Sequence, residues 1–157
     1  MITSSVVAIF DPAKCDTQES FSEKDWLEPN KKTPPYDKSK VMAERAAWDY
    51  QSKLPKDEQF EIVTINPGFI VGPVLVKSPF TSEEIINKLM MGKFPGLPNI
   101  YMAMVDVRTT AIAHLKALTE APANKRYALV SETPKFVEIG KMLHSSFGKY
   151  GYKVCHK

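Results

Sequence analysis

The chain has 157 residues, 43% of them hydrophobic and 25% charged, which is enough ordinary globular sequence to bury a core and excludes disordered and fibrous classes. Its formal net charge of +3 comes from 21 basic and 18 acidic residues that are interspersed, a solvated surface rather than a nucleic-acid footprint. Cys15 and Cys155 stand far apart with no metal-ligand spacing to His114, His144 or His156, and no stretch approaches the ~20 apolar residues of a membrane span. These features predict no disulfide, no metal, no nucleic-acid or membrane partner, and a cytoplasmic location.

The opening run 1–10 is apolar on both faces and predicts a central parallel strand covered by helices. Residues 11–35 are polar and punctuated by prolines, which predicts a long loop with a short helical turn near Ser22 to Leu27. Tyr36 to Leu54 carries strong helix formers behind Pro35 at the first helical position, and predicts one helix. Phe60 to Asn66 reads as a second buried strand, stopped by Pro67-Gly68 and followed by a Gly/Pro-rich stretch as far as Pro79.

A helix is expected from Thr81 to Met91, capped by Thr81 or Ser82, then a loop over 92–98 and a short strand from Asn99 to Val105. Asp106 is placed to cap a helix reaching Glu120, Lys125 to Val130 reads as another strand, and Pro134 to Phe147 as a last helix. This alternation signals a parallel α/β sheet. Residues 1–157 are read as a single incomplete domain, with 1–68 carrying the chemistry and 69–157 mixing substrate-binding loops with the remaining strands.

Reduction of a carbonyl needs a proton donor at the developing alkoxide, and an unassisted phenol with a pKa near ~10 is a poor one at neutral pH. A lysine four residues on lies one helical turn away, and its ammonium favours the phenolate. Tyr36 and Lys40 have that spacing, at the positive end of the expected helix. The spacing alone is weak, since six tyrosines in so lysine-rich a chain give roughly one such pair by chance.

Thr3-Ser4-Ser5 places hydroxyls near the carboxyl end of a strand, where open α/β sheets bind ligands. Such a serine can orient a substrate carbonyl, or it can simply satisfy backbone groups where the strand turns. Asn66-Pro67-Gly68 ends the next strand in a sharp turn whose backbone can lie against a flat ring; taken alone it is only a turn. Together these segments outline a cleft between two strand ends, with an acid on the intervening helix.

Thr3-Ser4-Ser5, Tyr36-Asp-Lys-Ser-Lys40, Thr64-Ile-Asn-Pro-Gly68 with Val71-Gly-Pro73, and Val105-Asp-Val-Arg108 resemble the extended short-chain dehydrogenase/reductases. The resemblance lies closest to dihydroflavonol and cinnamoyl-CoA reductases. It implies the C-terminal part of a Rossmann-like α/β fold and NAD(P)H-dependent reduction of a ketone or aldehyde, with NADP leading NAD as cofactor. Tyr36 would be the acid. Lys40 would favour its ionised form and hold the nicotinamide ribose, and Ser5, with Ser4 as the alternative, would hold the substrate oxygen. Pro67 and Gly68 would pack near the carboxamide.

The same resemblance sends substrate contacts to the loops after each strand, where Phe69, Phe80, Met90, Met91, Phe94 and Leu97 suit an apolar carbonyl compound, although Met and Phe so spaced also build cores. Nucleotide-sugar epimerases and dehydratases fit less well, because they carry a Tyr-Gly pair and an Arg-Pro where this chain has Ile9-Phe10-Asp11 and Ile65-Asn66-Pro67. A reductase of this family also needs a glycine-rich phosphate turn, and none of the seven glycines forms G-x-G-x-x-G. Four strand-helix units are thus expected to lie upstream, and without them the first strand has an open edge that a second copy or another chain would otherwise cover. Two expectations follow: negligible activity for the chain by itself, or a non-catalytic binding module.

Overall fold

The computed structural model describes residues 1–74, 76 and 81–156, with nothing stated of the Thr81 side chain. Among the described residues the strands and helices run β1 (Ile2–Thr3), α1 (Pro35–Lys53), β2 (Val63–Pro67), β3 (Phe69–Val71), α2 (Thr81–Met90), β4 (Met104–Asp106), α3 (Val107–Thr119), β5 (Lys125–Leu129) and α4 (Phe136–Phe147), the expected order except for β3, which falls in the stretch expected to be a Gly/Pro-rich loop. They fall into two compact units. The first comprises Met1–Gly68 and Arg108–Leu129, the second Phe69–Val107 and Val130–Lys157.

The first unit is built on a three-stranded parallel sheet in the order β1-β2-β5. The central strand β2 is buried along its whole length, which is why its sequence runs Val-Thr-Ile-Asn-Pro without apolar/polar alternation. Its register pairs Ile2 with Thr64 and Thr3 with Ile65 on one side, and Thr64 with Arg126 on the other. Val63 and Ile65 pack with Ala117 of α3, flanked by Tyr127 and Leu129. A separate cluster of Ala8, Leu27 and Val41, with Trp26 against it, seats α1 on the segment that follows β1. At ~25 cal/mol per Å² of apolar area, burying a valine such as Val41 completely contributes about 1.5 to 3 kcal/mol.

Two expectations are corrected here. The run 1–10 is not one strand: pairing ends after Thr3, with the Ser4 amide adding one more bond to Ile65, and Val6–Ala8 coils into a 3-10 turn. The Ser5 backbone is extended and its hydroxyl accepts from the Val7 amide, so a side chain able to cap a turn ends the strand despite the apolar residues beyond. Within this sheet β1 is an edge strand, not a central one.

The second unit has its own two-stranded parallel sheet of β3 and β4, with Phe69 opposite Met104 and Val71 opposite Asp106. The parallel α/β class holds, but the strands divide between two sheets. The strand expected over 99–105 shrinks to Met104–Asp106, preceded by a single antiparallel bridge between Tyr101 and Lys135. Leu89 of α2, with Phe136 and Ile139 of α4, forms the core of this unit. The tail 152–156 returns against it, with Val154 buried and the Cys155 amide bonded to Leu89.

Candidate active site

All the residues expected to carry chemistry lie in the first unit. Pro35 begins α1, so the helix starts where its missing amide costs nothing, and Tyr36 and Lys40 occupy its first two turns. Tyr36 is 56% exposed, and the Lys40 ammonium stands 5.8 Å from the centre of its ring. Tyrosine and lysine therefore share one helix face one turn apart. Among the described residues no carboxylate pairs with Lys40. Asp37, also in the first turn, has its carboxyl pushed up by burial.

Ser5 and Pro67 end neighbouring parallel strands. The Ser5 hydroxyl donates weakly to the Pro67 carbonyl at 3.5 Å and accepts from the Val7 amide at 3.4 Å, long bonds that a stronger partner can displace. The Gly68 amide is committed to the Leu129 carbonyl at 3.0 Å, which fixes the turn after β2. Ser4 is differently employed: its hydroxyl donates to Glu44 at 2.5 Å and is buried. Of the two serines, Ser5 has the looser hydroxyl.

Phe69 lies half-buried on β3 in the second unit. Phe94 packs edge-on against Phe136, ring centres 5.5 Å apart, within the core of that unit. Phe80 lies outside the described residues. Met90 and Met91 line, with Tyr150 to Lys153, an open cleft of about 410 Å³ in the second unit.

Glu44 and Arg126 were not singled out by their sequence context. Glu44 is 1% exposed in the middle of α1, and four donors converge on its carboxylate. Arg126 Nε at 2.6 Å and the Thr64 hydroxyl at 3.1 Å reach Oε1; the Ser4 hydroxyl and Asn66 Nδ2 at 2.8 Å reach Oε2. Asn66 Nδ2 also donates to the Ser5 carbonyl at 3.1 Å. Burial pushes the carboxyl up, but the bond and charge of Arg126, with Ser4 and Asn66, outweigh it and hold Glu44 below the usual glutamate range.

Arg126 in turn donates to the Glu23 and Asp25 carbonyls at 2.8 and 2.5 Å and sits over the Trp26 ring, 3.6 Å from its centre. The signal for this network was present. Thr64 and Asn66, two apart in a buried strand, face the same way, and Glu44 follows Lys40 by one helical turn. Among the described residues no group of three His, Cys, Asp or Glu side chains could hold a metal.

This arrangement defines a Rossmann-like parallel α/β unit with a hydroxyl and a Pro-Gly turn at adjacent strand ends, and a tyrosine and lysine at the start of the helix between them. No family model matches the chain. It is 30% identical over 151 residues to cinnamoyl-CoA reductase CAD2 of Medicago truncatula, covering 94% of this chain and 45% of that protein. It is 32% identical over 145 residues to the NADPH-dependent methylglyoxal reductase GRE2 of Saccharomyces cerevisiae, covering 84% and 42%. The crystal structure of yeast methylglyoxal/isovaleraldehyde reductase Gre2 complexed with NADPH superposes with a TM-score of 0.84 at 26% identity, over 99% of this chain and 50% of that one.

The resemblance to the extended short-chain dehydrogenase/reductases holds: the proteins this chain is similar to are reductases. The chain spans about half the length of the curated relatives it matches.

Proposed function

We propose that this chain carries the proton-donating half of an NADPH-dependent reductase of small ketones or aldehydes. The supporting observation is the pairing of Ser5 and Pro67 at adjacent strand ends with Tyr36 and Lys40 one turn apart on α1, in a chain similar to reductases. A nicotinamide cofactor, when bound, supplies the hydride to the carbonyl carbon. Tyr36 gives its phenolic proton to the carbonyl oxygen, so that aldehyde or ketone, hydride and proton together make the alcohol. Lys40 stabilises the phenolate left behind and offers its ammonium to the ribose.

Ser5, by exchanging its long bond to Pro67 for one to the substrate, holds the oxygen as charge develops there. Ser4 is the less suited of the two serines because its hydroxyl already donates to Glu44. Pro67 and Gly68 would flank the nicotinamide, and Phe69, Phe80 and Phe94 belong to the substrate side of the reading. Phe94, packed in a core, would act there by shaping rather than touching. The test uses the full protein that carries this chain. Tyr36→Phe is expected to lower carbonyl-dependent NADPH oxidation at least about a hundredfold, the scale of lost general acid catalysis. Unchanged oxidation would defeat the reading.

A further inference from the structure

Glu44 takes no part in the proton transfer just described, yet it is the most completely buried charged residue of the first unit's described core. Burying a carboxylate and a guanidinium costs several kcal/mol per ion before their attraction returns it, and well-packed apolar residues often do as well for stability. What the ion pair provides is a unique arrangement of its partners. Two of its four partners adjoin residues of the candidate site. Ser4 precedes Ser5, Asn66 precedes Pro67, and Asn66 Nδ2 bridges Glu44 Oε2 and the Ser5 carbonyl. Glu44 stands one turn after Lys40 and two after Tyr36 on the same helix. Arg126, locked by the carbonyls of Glu23 and Asp25 and by the Trp26 ring, fixes the carboxylate from the far side.

We propose that Glu44 is a positioning residue, which through Asn66 and Ser4 sets Ser5 against the helix bearing Tyr36 and Lys40. The inference rests on the reductase reading above. A carboxylate is required because all four groups around it donate; an amide of the same shape would turn an N–H toward either Arg126 or the Ser4/Asn66 pair. Asn66 would then rotate, releasing the Ser5 carbonyl, and a shift of about 1 Å in a holding group is enough to cost ~10²-fold in rate.

The experiment is a double-mutant cycle of Glu44→Gln and Ser5→Ala in the full protein, with Tyr36→Phe as a separate arm and folding checked by circular dichroism. Each single variant is expected to lower kcat about tenfold or more, with KM for NADPH within about twofold. The double variant is expected to be no slower than the slower single one, because both act on the same contact. Multiplying effects, a folded Glu44→Gln with unaltered kcat, or a harmless Ser5→Ala would each overturn the inference. Should Glu44→Gln not fold, Glu44→Gln/Arg126→Gln leaves no unpaired buried charge and is read the same way. If Tyr36→Phe abolishes turnover while Glu44→Gln does not slow it, only the positioning role falls; if Tyr36→Phe changes nothing, the reductase reading itself falls.

Discussion

Glu44 shows how one side chain can make the stability of a unit depend on pH. Its carboxyl titrates below the ordinary value near 4.5 because Arg126, Ser4 and Asn66 favour the anion by more than burial disfavours it. A depressed carboxylate pKa contributes stability above the unfolded value, and that contribution is lost as pH falls through the lower folded value. The window therefore opens at about pH 4.5 and extends downward. Asp25, Glu28 and Glu84, held low at the surface by hydrogen bonds, act in the same direction, and Asp37, raised by burial, acts against them. All four are present in wild type and Glu44→Gln alike, so the difference between the two proteins isolates Glu44. In urea unfolding the wild type is expected to be the more stable at pH 7, with the gap narrowing below pH 4.5. A gap that stays constant down to pH 3 would show that the carboxylate is not held as its contacts indicate.

At the scale of elements, helices were the more legible. The start of α1 at Pro35 and the ends of α2, α3 and α4 fall within two residues of what caps, prolines and apolar periodicity indicate. Strands were legible at β2, which is buried throughout, and at β5, which is only partly buried, and misread at β1, where a capping serine stops a run whose later residues are equally apolar. Tyr36, Lys40, Ser5 and Pro67-Gly68 stand out in the sequence as candidates because their spacing carries a reason. Glu44 was not, since a glutamate among alanines in a helix looks solvated until strand register brings Thr64, Asn66 and Arg126 around it.

Element packing also predicts a glycine effect that propensity alone would get wrong. Gly140 lies inside α4, where alanine is ordinarily better by ~1 kcal/mol. A methyl there, however, would overlap the Cys155 carbonyl oxygen and stand 2.9 Å from Leu97 Cδ1. Gly140→Ala is expected to destabilise by about 1 to 3 kcal/mol through displacement of the tail, whereas Gly96→Ala, with open space around it, changes little. Thermal unfolding of the two variants side by side checks this; a Gly140→Ala at least as stable as wild type would refute the packing argument.

At the scale of the whole molecule, the proposed reading gives this chain the nicotinamide end of a dinucleotide, while its sequence carries no glycine-rich phosphate turn. A pyrophosphate is held by clustered backbone amides at a helix N-terminus behind a glycine-rich turn. Here α1 is preceded by Pro34 and opens with Pro35, two residues that offer no amide, and no glycine occurs before Gly68. Lys40 offers one ammonium, which the proposal gives to the ribose and which cannot replace a phosphate cradle. Titration of the 157-residue chain with NADPH, followed by calorimetry, is therefore expected to show no saturable binding at micromolar concentrations, and cofactor oxidation by the chain alone is expected to be negligible. Saturable micromolar binding would mean that residues outside the Tyr36, Lys40 and Pro67-Gly68 set grip the phosphates, and the division of labour inferred for this half would have to be redrawn.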